Sequence, residues 1–213
     1  MQNQLKRAFA FLLLFSINSV IAQDSLAVKT KTNPIVFSEM YVCFGGANSA
    51  GWTIGGTVNY QFSNTDLLTV RLGAYAGFHT ELALLAPAVG IPVIKRNELI
   101  ADYGFLYGKR WIAGGTSFSV SAGISFLHHE YLEEINEDYY LRKENVMGIP
   151  FEMNVKFFKK QKRRLRIYYG LIPLTKKKVA FGKSFGFKVV GNIGKANYFA
   201  IGISYGIGTH KKY

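Results

Sequence analysis

The feature that most constrains this chain is a two-residue alternation whose second face carries almost no charge. Between about residues 35 and 209 large apolar side chains return at every other position, which is the signal of extended strands. In 52–62, Trp52, Ile54, Val58, Tyr60 and Phe62 share a face with Gly56, opposite Thr53, Gly55, Thr57, Asn59 and Gln61. In 117–126, Phe118, Val120, Ala122, Ile124 and Phe126 oppose Ser117, Ser119, Ser121, Gly123 and Ser125. In 199–208, Phe199, Ile201, Ile203, Tyr205 and Ile207 oppose Ala200, Gly202, Ser204, Gly206 and Gly208. A soluble sandwich would bury the bulky face and wet the other. Wet surfaces are about a quarter to a third charged, so a face of Gly, Ser, Thr, Asn and Ala makes a poor exterior. It makes a good filling for a narrow lumen, with the bulky face turned to lipid.

Dimensions agree with that inversion. Trp52 and Phe62 bracket one strand, and ten residues at ~3.3 Å each with a tilt of ~45° rise roughly 23 Å, near the ~25 Å apolar band of a membrane barrel. Phe118 with Phe126, and Phe199 with Tyr205, place rings near both edges in the same way. The expected fold is therefore all-β, an antiparallel up-and-down transmembrane β-barrel of eight strands near 36–46, 51–63, 67–79, 98–111, 116–129, 147–158, 183–192 and 197–209. Short links at 47–50, 64–66, 112–115 and 193–196 carry Gly, Asn, Asp or Ser, the residues of tight turns. Long links are expected at 80–97, 130–146 and 159–182, and Pro34, Pro87, Pro92, Pro150 and Pro173 outside strand centres. Leu165, Ile167, Tyr169 and Leu171 alternate within the last link, so ten strands is the alternative count.

The first 22 residues do not belong to that pattern. Lys6 and Arg7 precede an apolar run from Ala8 to Ile17, and Ser19-Val20-Ile21-Ala22 supplies small residues for cleavage near Ala22. This is the layout of a secretory signal peptide, and the run is too short to span a bilayer as a helix. The expected organisation is a signal at 1–22, an extension at 23–34 and the barrel at 35–213. Removing Lys6 and Arg7 leaves 24 basic against 13 acidic residues, a net charge of +11. In a cytosolic chain that balance would suggest nucleic acid; in an exported one, anionic lipid headgroups or envelope polymers fit better and no nucleic acid is expected. Cys43 is the one cysteine, which excludes an internal disulfide and a Cys-cluster metal site.

Tyr213 lies in phase with the outward set at 199, 201, 203, 205 and 207, although Lys211 occupies an outward position where an apolar residue is more usual. An export signal, eight alternating segments, small inner faces and a last segment Tyr198-Phe199-Ala200-Ile201-Gly202-Ile203-Ser204-Tyr205-Gly206-Ile207-Gly208 together resemble the small outer-membrane β-barrel proteins of Gram-negative bacteria. The resemblance implies the cell outer membrane as location. It also implies outer-membrane lipids and the barrel-assembly machinery, through the C-terminal strand, as partners. Being a likeness of fold, it transfers no active site.

Candidate functional residues follow from phase. Glu39, Arg71, Asp102, Arg110, Glu152, Lys156 and Lys188 fall on lumen faces, where charges are costly unless paired. Paired, they plug the barrel; unpaired, they line a narrow ion path. His129 shares its face with Ser125, but four residues along a strand is ~13 Å, too far for a nucleophile and its base. His128 and His129 point to opposite sides, which argues against a metal site. No catalytic residue, cofactor or metal is assigned. The run Leu82 to Ile94 is apolar but interrupted by Pro87 and Pro92, and reads as a wall extension or a cover over the mouth. Acids gather at Glu130, Glu133, Glu134, Glu137, Asp138 and Glu144, whereas no acid follows Glu152 and lysines and arginines fill 159–178. The expected function is a barrel with a filled polar lumen and a structural or adhesion-like role through its outward links. A narrow porin-like channel and a lipid-modifying enzyme are the alternatives.

Overall fold

The computed structural model describes residues 33–86, 89–135, 138–162, 166–167, 172–173 and 178–212. The segments at 1–22 and 23–32, and Tyr213, lie outside them, as do 165, 169 and 171. Eight strands close into one ring: β1 (Ile35–Gly46), β2 (Ala50–Gln61), β3 (Asp66–Ala86), β4 (Val89–Ala113), β5 (Thr116–Ile135), β6 (Asp138–Phe158), β9 (Phe181–Gly194) and β10 (Tyr198–Thr209). Each is antiparallel to the next along the chain, and β1 closes on β10 from Phe37↔Gly208 to Gly46↔Phe199. The barrel is thus up-and-down, with both described termini at one end. The short pair β7 (Arg166–Ile167) and β8 (Ile172–Pro173) forms a sheet of its own, so the ten-stranded count is wrong: the link between β6 and β9 adds no staves.

Phase is as the alternation requires. Ile124, Val58 and Ile203 are 64%, 53% and 49% exposed on the outer wall. Twelve-residue strands such as β1 and β2 rise roughly 28 Å at ~3.3 Å per residue and ~45° tilt, enough to cross the hydrocarbon layer. Among the described residues no helix is long and apolar enough to do so.

Three expectations need correction. The stretches 80–97 and 130–146 are mostly strand, not loop: β3 pairs with β4 up to Ala86↔Val89, and β5 with β6 up to Ile135↔Asp138. Beyond Gly77 on β3 and Glu98 on β4 the hairpin has lost its ring neighbours and continues as a two-stranded ribbon, roughly 30 Å long for nine residues. Two prolines sit within strands of the ring, and Pro173 lies in the short β8. Pro92 is in that ribbon, opposite Leu82, and Pro150 is in the middle of β6. At Pro150 the β5–β6 ladder breaks between Ala122↔Phe151 and Ser125↔Gly148 without a change of register, since the ring nitrogen has no hydrogen to give.

The lumen is also bulkier than a small polar face suggests. Tyr41, Tyr75, Tyr198, Ile100, Leu127 and Val190 are buried together at one level, and Ile35, Phe37 and Leu67 at the terminal end. Small residues make this possible. A Cβ on Gly55 or Gly73 would collide with the Tyr41 ring or hydroxyl, so two glycines on β2 and β3 are the berth for one large inward ring. A tight turn at 114–115 uses Gly114 at φ 61°, a left-handed conformation that suits glycine.

Candidate functional site

The lumen charges are the largest concentration of polar chemistry, and alternation alone puts them inside. At the waist, Arg71 on β3 donates to Asp102 on β4 at 2.6 Å and reaches across to the carbonyl oxygens of Phe151 (3.0 Å) and Gly191 (3.1 Å) on the opposite wall. Asp102 also accepts from the Tyr198 hydroxyl and from Asn192 at 3.4 Å. One level nearer the terminal end, Lys188 sits 2.9 Å from Glu152 and 3.4 Å from Glu39, and Lys156 completes the group by pairing with Glu39 across β9 and β10. All of these side chains are essentially without solvent contact. The network is a crosspiece: each carboxylate meets at least one cation, which is the condition for holding charge away from water.

Arg110 stands apart from that network. It is buried near the terminal end, where it donates to Ser117 (3.0 and 3.2 Å) and Gln61 (3.0 Å) and stacks over Phe37 at 4.7 Å and Phe158 at 5.6 Å. Among the described residues no carboxylate lies within ion-pair distance of it. The rings Trp52, Phe62, Phe118, Phe126, Phe199 and Tyr205 all lie on the outer wall. Trp52 packs edge-on against Phe44, Phe118 stacks on Trp111, and Phe199 stacks on Phe151 over Gly191.

At the other mouth lies a cluster that single-strand reasoning misses. His129 Nε2 is 2.7 Å from Glu98 Oε1 and its Nδ1 is 3.4 Å from Glu144, which in turn pairs with Lys195. Asn48 donates to the same Glu98 oxygen at 2.9 Å. Lys195 beside Glu144 holds its carboxyl below the usual carboxylate range. The available signal was that Glu98 and His129 have inward phase on adjacent strands, where Ile100 faces His129 in register. Ser125 is bonded instead to Asn192 at 2.5 Å, so the described residues bring no serine and histidine together on this strand. Among the described residues no group of three or more His, Cys, Asp or Glu side chains is arranged to hold a metal ion.

No protein-family model and no curated protein matches the sequence. Among solved structures, the chain is similar to small outer-membrane barrels at low identity. The N-terminal β-barrel domain of Pseudomonas aeruginosa OprF is 12% identical with a TM-score of 0.43, over 82% of this chain and 99% of that one. Neisserial surface protein A is 11% identical with a TM-score of 0.46, over 83% and 96%. The attachment invasion locus protein Ail of Yersinia pestis, solved with a heparin analogue, is 10% identical with a TM-score of 0.38, over 83% and 99%.

Proposed function

We propose that this protein is a non-conducting barrel of the bacterial outer membrane, delivered by a cleaved export signal, whose role is structural or adhesion-like through the hairpins at the end away from the termini. The observation that carries this reading is the Arg71 crosspiece, which ties β3 and β4 to backbone oxygens of β6 and β9 through the middle of the lumen. An eight-stranded interior is only wide enough to be filled by side chains, and here the filling is both charged and mutually paired. The same charges would line a narrow channel if their pairs opened, which makes conductance the decisive measurement. In planar bilayers the folded protein should show no stable unitary current; discrete, reproducible steps would replace the structural reading with a channel.

The two projecting hairpins support the adhesion-like half of the proposal. Their strands run past the last ring neighbour into water, so they contribute contact surface without closing the barrel. Replacing 79–96 by a two-residue turn should leave heat-modifiable gel mobility intact and reduce attachment of cells displaying the protein severalfold. Unchanged attachment would remove this hairpin from the role.

A further inference from the structure

The first residue after β10 is a histidine buried without a polar partner. His210 is 2% exposed. Its ring lies 5.1 Å from that of Phe37 on β1 and is stacked at 5.5 Å on Phe158 of β6. Neither ring nitrogen makes a hydrogen bond of normal geometry, although buried polar atoms are ordinarily paired. The ring also borders a cavity of about 40 Å³, which Phe181, Gly182 and Lys183 of β9 and Lys159 after β6 help to line.

The charges around His210 are arranged against a proton. Arg110 on β4 stands over the same two rings, 4.7 Å from Phe37 and 5.6 Å from Phe158, and Lys156 on β6 lies 5.7 Å from Phe37. Glu39 on β1 is the nearby carboxylate, and it is already shared by Lys156 and Lys188. Burial, Arg110 and Lys156 together push the imidazole down from its ordinary 6.5 to about 4, against the weaker pull of Glu39 and of the Gly182 backbone. A protonated His210 would be a further cation in an aromatic box that water does not reach.

We propose that His210 is an acid-released latch: neutral, its ring packs against Phe37 and Phe158 and shuts the terminal mouth; protonated, it leaves those rings and residues 210–212 swing away from the mouth. A ring that binds its proton less well latched than released favours latching fully above pH 6.5. That advantage falls about tenfold per pH unit between 6.5 and about 4. The segment is also held by Asn33, which donates to the Lys211 carbonyl oxygen at 2.9 Å, and by Lys212 Nζ, 3.5 Å from Asn64 Oδ1. Water can replace both contacts on release. The Arg71 crosspiece lies deeper, so the latch governs access to one mouth and stands independently of whether the lumen conducts.

The test is NMR of the folded protein in micelles from pH 7.5 to 3.5, reading the nitrogen shifts of the His210 ring and amide hydrogen exchange corrected for its intrinsic pH dependence. The ring should titrate below 6.5. Over the same pH range the amides of Phe37, Gly208 and His210 should lose protection at least tenfold, while that of Arg71 keeps its own. His210→Phe, which preserves the stack and takes up no proton, should stay protected throughout. Arg110→Gln should move the ring's midpoint back toward 6.5. Folding of each variant is checked by heat-modifiable mobility. A ring that stays neutral to pH 3.5, a titration without change in exchange, or a midpoint unmoved in Arg110→Gln would overturn the latch. So would the same loss of protection in His210→Phe, which would assign the acid response to Glu39 instead.

Discussion

Replacing Asp102 by Ala should destabilise the barrel by about 3–5 kcal/mol, measured by urea titration in phospholipid vesicles, because it strands the Arg71 guanidinium in an interior from which water is excluded. Asp102 accepts from Arg71, Tyr198 and Asn192 at once, so three donors lose their acceptor in one step. The companion change Arg71→Met with Asp102→Leu removes both charges and should recover most of the loss, since an apolar pair of similar volume is often no worse than an ion pair. The cycle formed with the single variants separates a true coupling from a packing defect. Equal losses in the single and double variants would mean that the crosspiece contributes by volume alone.

The second large effect concerns the outer wall. Ile124→Arg places a cation near the middle of the outward belt and should cost about 2–4 kcal/mol in the same assay, whereas Phe118→Arg, close to the edge, should cost about 0–1 kcal/mol for its charge. This depth dependence has no counterpart in a protein whose outer surface is wet. If the two substitutions cost the same, or Ile124→Arg costs nothing, the belt does not face hydrocarbon.

How much of this was legible in the sequence depends on which solvent each residue meets. Where a strand touches lipid on one side and a packed lumen on the other, every residue carries the phase, and 52–62, 117–126 and 199–208 could be oriented from composition alone. Where the same strand emerges into water, that contrast disappears. The ladder then continues on backbone hydrogen bonds that leave no mark on side-chain choice, which is why 80–97 and 130–146 read as loops. The lumen charges were visible as exceptions to a small-residue face, but their partners were not. Arg71 meets backbone oxygens on strands distant in sequence, and Glu98 meets His129 only through the register of β4 against β5. Tyr41 was hidden for a related reason: the space for its ring comes from Gly55 and Gly73 on two other strands.

The interruption at Pro150 also has a consequence for how such a cylinder yields. Inside a bilayer there is no water to take up a backbone carbonyl of β5 left without the N–H that Pro150 lacks, and the large outer side chains of Ile124 and Ile149 flank the gap. The seam between the fifth and sixth staves thus carries a local gap in a ladder that is intact on both sides of it. Local breathing of the wall is expected at that gap, and faster amide hydrogen exchange around Gly123 than at the paired positions of the same stave would show it.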